Sequence, residues 1–305
     1  MKILLTGSEG YIGSVLIQKL KAADHQVMGV DTGWFKAAMG WKGKDVRTID
    51  SVSGFDAIIH LAAIANDPSV DHYPRLSWET GALATMRLAD LAVRQGVGQF
   101  IYASSVSVYG ADRGKVTEDM DLKPLSDYNK TKMVAERALL SYKDDLTIQI
   151  VRPATVCGLS PRMRLDVSVN MLTMQALTKG KITVHGGTQM RPSIHIDDMC
   201  DLYLFLLDRP HYHGIYNAGF ENLSLMDIAK KVQGVVACEI EVTPLHDPRS
   251  YQVDSSKLLA TGFRPKKTVD DAIHEIVAAY ATGELKDEPR FHNLEWMRHL
   301  SVKDK

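Results

Sequence analysis

The chain begins with a short apolar run that is followed at once by three glycines in a fixed pattern. Residues Lys2–Thr6 have the composition of a buried strand, and the next segment reads Gly7-Ser-Glu-Gly10-Tyr-Ile-Gly13. A helical pattern of apolar residues then covers Tyr11–Ala23. In such a turn one glycine allows the tight bend, another lets the backbone approach a pyrophosphate, and a third lets the helix pack close to the strand. The start of the chain therefore predicts a strand–turn–helix unit of a parallel sheet.

The same alternation continues through the first half of the chain. Amphipathic stretches at Leu76–Gln95 and Tyr128–Tyr142 lie between β-branched runs. Strands connected through helices require right-handed crossovers, which produce a parallel sheet with helices on both faces. We therefore predict an α/β fold with a doubly wound parallel sheet of the Rossmann type. Its predicted strands are Lys2–Thr6, Gln26–Val30, Val46–Ile49, Ala57–Leu61, Gln99–Ala103 and Thr147–Arg152.

The second half has fewer strand patterns and more loops rich in Pro, Arg and Gly. We predict a Rossmann domain over residues 1–153, to which segments near 190–220 return, and a smaller α/β substrate-binding domain over residues 154–305. The charged last residues, from Asn293 onward, are expected to be loosely held. Expected elements are helices at Ser168–Thr178 and Asp197–Leu207, strands at Gly214–Ala218 and Glu239–Thr243, and helices that begin with capping boxes at Ser224 and Thr268.

Composition excludes several classes of function. Of the 305 residues 45% are hydrophobic, enough for a large core, and the formal net charge of -1 gives no attraction to nucleic acid or to an anionic membrane. No apolar stretch approaches the roughly 18 residues that span a bilayer. The three cysteines show no metal-type spacing, so we predict no metal site and a reduced, cytoplasmic protein.

An acidic residue ends the second predicted strand. Asp31 lies about 20 residues beyond the glycine turn, where a carboxylate can accept hydrogen bonds from the adenosine ribose hydroxyls of a dinucleotide. The same charge would repel a 2′-phosphate, and the next residues, Thr32-Gly33-Trp34, supply no arginine to compensate. The alternative is a plain turn residue at a strand end. We predict that the cofactor is NAD rather than NADP.

A tyrosine and a lysine lie four residues apart at the start of a predicted helix, in Tyr128-Asn-Lys-Thr-Lys132. Residues at this spacing share a helical face, so the ammonium of Lys132 is expected near the phenol of Tyr128. That ammonium and a positive nicotinamide ring would both lower the tyrosine pKa from its usual value of about 10. A tyrosine tuned in this way can take a proton from a hydroxyl while hydride leaves the same carbon.

In their order and spacing these motifs resemble the extended short-chain dehydrogenase/reductase family, in particular its nucleotide-sugar epimerase and dehydratase branch. The resemblance runs nearly from end to end. It rests on Thr6–Gly13, Asp31, Asp45-Val46-Arg47, His60–Ala63, Ala103–Gly110, Tyr128 with Lys132, Arg152-Pro153, and Arg191 with His195–Asp198.

The resemblance implies roles for individual residues. Ser105 would hydrogen-bond the reacting hydroxyl beside Tyr128, and Lys132 would also hold the nicotinamide ribose. Arg162 and Arg164 flank a loop that is a candidate for closing on the substrate. The implied cofactor contacts are Gly7, Gly10, Tyr11, Ile12, Gly13, Asp31, Asp45, Val46, Leu61, Ala62, Ala63, Tyr128 and Lys132. The implied substrate contacts are Ser105, Asn170, Arg191 and Arg249.

Two departures from the family pattern bear on the reaction. Gly81-Ala-Leu-Ala-Thr85 stands where the family often carries Asn-Val-x-Gly-Thr beside the nicotinamide ribose, which weakens the expectation of cofactor contacts there. Dehydratases of the family carry an Asp-Glu pair directly after the catalytic threonine. Val106 and Ser107 stand at those positions and cannot transfer protons in that way. Dehydration and the related decarboxylation are therefore not expected.

We therefore expect an NAD-dependent epimerase of a nucleotide-diphosphate-sugar, acting at C4. A 4-ketoreductase or dehydrogenase of the same family is one alternative, and a non-catalytic NAD(P)-binding regulator or scaffold is another. The helices at Leu76–Gln95 and Tyr128–Tyr142 carry apolar residues beyond one buried face. Equivalent helices of the family form a four-helix dimer bundle, so the resemblance also implies a homodimer.

Overall fold

The structure is a computed structural model that describes residues 1–35, 43–245 and 250–303. In chain order its strands are β1 Lys2–Thr6, β2 Gln26–Val30, β3 Ala57–His60, β4 Gln99–Ala103, β5 Gly114–Val116, β6 Thr147–Pro153, β7 Thr155–Cys157, β8 Lys181–His185, β9 Met190–His195, β10 Gly214–Ala218, β11 Glu221–Ser224, β12 Glu239–Thr243 and β13 Tyr251–Val253. Its α-helices are α1 Gly13–Ala22, α2 Asp67–His72, α3 Pro74–Trp78, α4 Ala84–Arg94, α5 Asp127–Leu140, α6 Ser168–Lys179, α7 Ile196–Leu207, α8 Leu225–Gln233, α9 Ser256–Ala260, α10 Val269–Ala281 and α11 Asn293–His299.

Six strands form one sheet in the order β10-β6-β4-β3-β1-β2, and every neighbouring pair is parallel. Alternate side chains of a strand point to opposite faces. Ile3, Ile59 and Ile101 thus lie in one core with side chains of α1 and α7, while Leu4 and Ile58 lie in a second core with side chains of α4 and α5. Complete burial of each such side chain contributes about 1.5–3 kcal/mol. The doubly wound parallel sheet is confirmed.

One strand prediction in this half is wrong. The segment Val46–Ile49 is not a strand, because Val46–Thr48 forms a short 3-10 turn. Asp45 caps this turn by accepting a hydrogen bond from the backbone N–H of Arg47 at 2.8 Å. The Arg47 side chain is held in turn by ion pairs with Asp45 and Glu79.

The second half has a core of its own, which Val169, Ile182, Ile228 and Ile273 share with neighbouring apolar side chains. Around it lie a three-stranded sheet of β11-β9-β7 and the parallel pair of β8 with β12, whereas the parallel pair of β5 with β13 adds Val116 and Val253 to the core that contains Ile3. Strand β10 pairs with β6 and so belongs to the large sheet. Both capping boxes are present, at the starts of α8 and α10. The division of the chain near residue 153 stays a prediction.

The expectation of a loosely held end is wrong. The segment from Pro289 continues into α11, in which Asn293 and Met297 are buried. The apolar side of this short helix packs on Val70 and Tyr73 of the region that follows β3. Over the part of the chain that the structure describes, no helix combines the length and apolarity that a membrane span requires.

Candidate active site

The carboxyl ends of β1, β3, β4 and β6 open on one cavity of about 910 Å³. Open parallel sheets bind ligands at this edge. One wall of the cavity, here called the strand-end wall, consists of the glycine turn, residues 61–63 and 103–107, and the start of α5. The opposite wall, here called the C-terminal wall, consists of the loop 159–168, Arg191 and the segment 292–298.

Steric contacts explain two of the three glycines in the turn. Gly7 has a φ of +73°, and a Cβ on Gly13 would lie 2.0 Å from the carbonyl oxygen of Gly7. A Cβ on Gly10 would instead lie 3.2 Å from that same oxygen and would otherwise point into open space. The turn therefore leaves room for a ligand directly in front of Gly10 and the start of α1. This arrangement fits the pyrophosphate of a dinucleotide.

Asp31 lines the cavity beside this turn. Its carboxylate accepts hydrogen bonds from the backbone N–H groups of Glu9 and Gly33, at 3.0 and 2.8 Å. Burial raises the pKa of Asp31, although these two hydrogen bonds and the nearby Arg162 act in the opposite direction. Asp31 is thus fixed by the turn that it faces, in a position suited to the ribose hydroxyls of a dinucleotide.

The structure places every predicted cofactor contact on the cavity surface. Gly7, Gly10, Tyr11, Ile12, Gly13, Asp31, Asp45, Val46, Leu61, Ala62, Ala63, Tyr128 and Lys132 all line it. The phenol of Tyr11 is directed away from it, however, because its hydroxyl donates to the carbonyl oxygen of Gly158 at 2.7 Å. Tyr11 therefore offers the cavity its backbone rather than its hydroxyl.

Ser105 and Tyr128 meet at the centre of the cavity. Ser105 follows β4, and its hydroxyl accepts from the backbone N–H of Ser107 and lies 2.8 Å from the Ser107 hydroxyl. Tyr128 lies in the first turn of α5, which Ser126 caps by accepting from the N–H of Asn129. Both residues line the cavity, and Ser105 is among the groups that lower the pKa of Tyr128. Two hydroxyls therefore converge where a substrate hydroxyl can join them.

The pKa of Tyr128 is raised, and Lys132 is not among the groups that lower it, contrary to that part of the prediction. Burial is the largest cause, and it outweighs the opposing effects of Arg164 and of the hydrogen bond with Ser105. Lys132 is directed elsewhere. Its ammonium donates to the carbonyl oxygen of Ala103 at 2.6 Å and lies 5.0 Å from the ring centroid of Tyr102. A positive nicotinamide ring beside Tyr128 would favour its ionised form.

Lys132 is itself strongly affected by its surroundings. Burial lowers its pKa to about 8, and Glu136, one turn further along α5, partly opposes this. Glu136 also forms a buried ion pair with Arg152, 2.6 Å between Nη2 and Oε2, and accepts a hydrogen bond from Ser104. This network ties α5 to the ends of β4 and β6 and so fixes the relative positions of Ser105, Tyr128 and Lys132.

The predicted substrate contacts have mixed outcomes. Arg191 lines the cavity, as does Ser168 at the N-terminus of α6, whose hydroxyl has no hydrogen-bond partner among the described residues. Arg249 lies outside the described residues. The prediction for Asn170 is corrected: its fully buried amide donates to the Tyr11 hydroxyl and to the carbonyl oxygen of Arg164, and it accepts from the N–H of Gly158. Asn170 supports the cavity wall from behind.

Sequence reasoning missed a set of side chains that joins the C-terminal wall to the segment between β3 and α2. Asp166 accepts hydrogen bonds from Arg164 at 2.8 Å, from Asn66 at 2.9 Å and from the backbone N–H of Asn293 at 3.2 Å. Asn66 itself has a φ of +73° and caps α2. Asp67, the next residue, lines the cavity close enough to Tyr128 to raise its pKa. The Asn-Asp-Pro run after the third strand, a helix-start pattern, was the available signal.

Comparison with known proteins gives one consistent family. Residues 3–219 match the sequence model of the NAD dependent epimerase/dehydratase family. The chain is 32% identical over 268 residues to the uncharacterized UDP-glucose epimerase YtcB of Bacillus subtilis strain 168, covering 77% of this chain and 82% of that protein. It is 27% identical to a UDP-glucose 4-epimerase of Lactobacillus helveticus, covering 90% and 95%. The structure of UDP-glucuronic acid 4-epimerase from Bacillus cereus in complex with UDP-glucuronic acid and NAD superposes with a TM-score of 0.80 at 27% identity, covering 92% of this chain and 99% of that one.

The parallel sheet, the glycine turn and the Ser105–Tyr128–Lys132 group define a dinucleotide-dependent enzyme of the extended short-chain dehydrogenase/reductase class. Within that class, the chain belongs to the NAD dependent epimerase/dehydratase family, whose members act on nucleotide-sugars, and NAD is its cofactor.

Proposed function

We propose that this enzyme is a nucleotide-diphosphate-sugar epimerase that inverts C4 through transient hydride transfer and a keto-sugar intermediate. One observation carries the proposal. Ser105 and Tyr128 both lie on the cavity surface. The two positions that follow Ser105 in the chain hold Val106, which is buried, and Ser107, whose hydroxyl is hydrogen-bonded to that of Ser105. The site thus provides a hydroxyl base but no carboxylate at the positions that a dehydratase uses.

Tyr128, Ser105 and Lys132 have separate roles in this reaction. NAD, held by the glycine turn, Asp31 and Lys132, would supply the acceptor and the donor of the C4 hydride. Tyr128 takes the proton of the 4-hydroxyl as the hydride leaves and gives it back as the hydride returns. Ser105 hydrogen-bonds the same oxygen and so holds it beside the tyrosine. Lys132, fixed to the carbonyl oxygen of Ala103, is positioned to hold the nicotinamide ribose.

The chemistry of the C-terminal wall favours a substrate that carries a diphosphate. The N-terminus of α6 faces the cavity with the unpartnered hydroxyl of Ser168, and Arg164 and Arg191 line the same region. A helix N-terminus carries unpaired N–H groups and a partial positive charge, and arginine suits phosphate geometry. The relatives named above act on or bind UDP-sugars, which supports a nucleotide-diphosphate-sugar as the substrate.

A label on the reacting carbon tests the reaction. Purified enzyme with NAD would receive UDP-glucose or UDP-glucuronic acid deuterated at C4, and NMR would follow the sugar signals. We expect the 4-epimer with the deuterium retained and no lasting change in NADH absorbance. A stoichiometric change in NADH would instead identify a reductase or dehydrogenase. If neither sugar nor any other nucleotide-sugar reacts, and Tyr128→Phe behaves as wild type, the enzyme proposal fails in favour of a scaffold.

We also propose that the enzyme forms a homodimer through α4 and α5. Leu83 and Met86 on the outer side of this region are 58% and 41% exposed, which is unusual for large apolar side chains. Light scattering should give twice the chain mass, and Leu83→Asp should give a monomer. Leu125→Asp, which changes an equally exposed leucine outside these helices, is the matched control. A monomeric mass for the wild type would contradict the proposal.

A further inference from the structure

The C-terminal segment Pro289–His299 contributes directly to the cavity. Its residues at positions 292–295, 297 and 298 line the same space as Asp31, Trp34 and Phe35. The family match ends at residue 219, well before this segment. The segment therefore adds a wall beside the part of the cavity that is suited to the adenosine ribose.

The first link between this segment and the adenosine region is a hydrogen bond. The indole N–H of Trp296 donates to the carbonyl oxygen of Trp34 at 2.9 Å. Trp34 lies three residues after Asp31, in the loop that leaves the second strand. The end of the chain thus holds the loop next to the ribose-binding carboxylate.

The second link passes through Arg162. Its guanidinium lies over the Phe35 ring at 3.6 Å from the centroid, and its Nη2 donates to the side-chain oxygen of Asn293. Arg162 is only 7% exposed, and the negative charge of Asp31 favours its charged form by raising its pKa. Burial and the neighbouring Arg164 lower the pKa of Arg162 to about 9. Burying a cation of this kind costs free energy unless neighbouring groups bind it. Removal of one of those groups should therefore strongly destabilise the contacts of Arg162.

Apolar packing completes the contact. Met297 is buried against Val70, Tyr73 and Leu76, and Trp34, Phe35 and Leu294 pack at the edge of the same cluster. The backbone N–H of Leu165 also donates to the carbonyl oxygen of Phe291 at 2.9 Å. The segment is therefore fixed to both the loop 159–168 and the adenosine region.

We propose that the segment Pro289–His299, together with Arg162, closes the adenosine half of the cavity and slows the release of NAD. Arg162, Asn293 and Trp296 are positioning residues in this proposal. They hold the Trp34–Phe35 loop against the bound dinucleotide and do not touch the reacting atoms. NAD leaves faster when the segment is detached. The proposal rests on the position of Asp31 and is independent of the sugar reaction.

Dissociation of the cofactor tests this directly, without any nucleotide-sugar. Full-length Asn293→Ala and Trp296→Phe would be compared with wild type by stopped-flow NADH fluorescence and by calorimetric titration with NAD. Asn293→Ala removes a hydrogen bond to a charged group, so the dissociation rate should rise roughly 10- to 100-fold. Trp296→Phe keeps a ring and removes only the N–H, so a rise of roughly 2- to 10-fold is expected. Lys303→Ala, an exposed position just beyond the segment, should match wild type.

The outcomes separate the possible roles of the segment. Faster NAD release in both variants, with unchanged circular dichroism and unchanged UDP-glucose affinity, supports the proposal. Wild-type release rates in folded variants would overturn it. Weaker UDP-glucose binding with unchanged NAD release would also overturn it, because the segment would then serve the substrate half of the cavity.

Discussion

The two walls of the cavity are built in different ways. In the strand-end wall, Gly7 and Ser105 lie just beyond the ends of β1 and β4, and Lys132 of α5 donates to Ala103 at the end of β4, so the sheet itself brings them together. In the C-terminal wall, contacts join residues far apart in sequence, such as Asn66 with Asp166 and Trp34 with Trp296. The first wall depends on backbone geometry and the second on individual side chains. Substitutions in the two walls should therefore have different consequences.

The largest effect is expected at Tyr128 in the strand-end wall. Tyr128→Phe removes the hydroxyl that we propose transfers the proton, and it should lower kcat about 1000-fold. NAD affinity should change by no more than about 3-fold, since the ring remains, a difference below 1 kcal/mol. Steady-state kinetics and calorimetry would measure the two quantities. Tyr142→Phe, which lies just beyond the end of α5, is the control and should keep full activity. Retention of more than a tenth of the wild-type kcat in Tyr128→Phe would remove Tyr128 from its proposed role.

The glycine turn offers a matched pair within the same wall. A Cβ in Gly13→Ala would lie 2.0 Å from the Gly7 oxygen and 2.9 Å from Ser8 Cα, and these backbone atoms cannot move aside. We expect a loss of about 3 kcal/mol in the free energy of unfolding. Gly10→Ala has its nearest contact at 3.2 Å, so it should fold normally and lose NAD affinity instead. Urea unfolding and NAD titration would distinguish them, and equal stability losses would contradict the steric account.

The difference between the walls also explains what the sequence could predict. The glycine turn, Asp31, Ser105 and the Tyr128–Lys132 pair follow local rules of strand ends and helix spacing, and the structure places all of them on one cavity. Asp166 and Asn293 follow no such rule, because their partners are set by long-range packing. The same limit explains the wrong prediction for the chain end.

The predicted effect of Lys132 on the pKa of Tyr128 was wrong for a related reason. Helical spacing correctly placed Lys132 on the same face as Tyr128, but it carried no information about burial or about the carbonyl oxygen of Ala103. Asn170 shows the same limit, since a position at a helix start does not reveal which way the amide points. Pattern reasoning located these residues, and only the packing of the fold determined their contacts.

In the C-terminal wall, Asp166→Asn should cost about 2 kcal/mol of stability, because Arg164 loses its charged partner. Burial alone would raise the pKa of Asp166, but Arg164 and further hydrogen bonds hold it below its usual value. The stabilisation is therefore present above the unfolded pKa of about 3.9 and is lost as the pH falls through the lower folded pKa. Urea unfolding at several pH values should show wild type and variant converging in acid. A difference that persists there would exclude an electrostatic origin.

Substitution of Lys132 should change the free energy of unfolding least. It should raise this free energy, whereas Asp166→Asn should lower it. Burial lowers the pKa of Lys132 to about 8, so its positive charge destabilises the folded state at neutral pH. The unfolded chain binds more protons between about pH 8 and the unfolded pKa of about 10.4, so wild-type stability should rise with pH in that window. Lys132→Met should thus be more stable than wild type by about 1 kcal/mol at pH 7, after the loss of its hydrogen bond to Ala103 is counted.

That advantage should shrink toward pH 10, while activity is lost throughout. Lys130→Met, an exposed position on the same helix, is the control and should show neither change. A less stable Lys132→Met at pH 7 would mean that the contacts of the ammonium with Ala103 and Tyr102 outweigh its burial. The predicted result would instead show that the strand-end wall keeps a destabilising charge because catalysis requires it, whereas the Arg164–Asp166 pair of the C-terminal wall stabilises the fold.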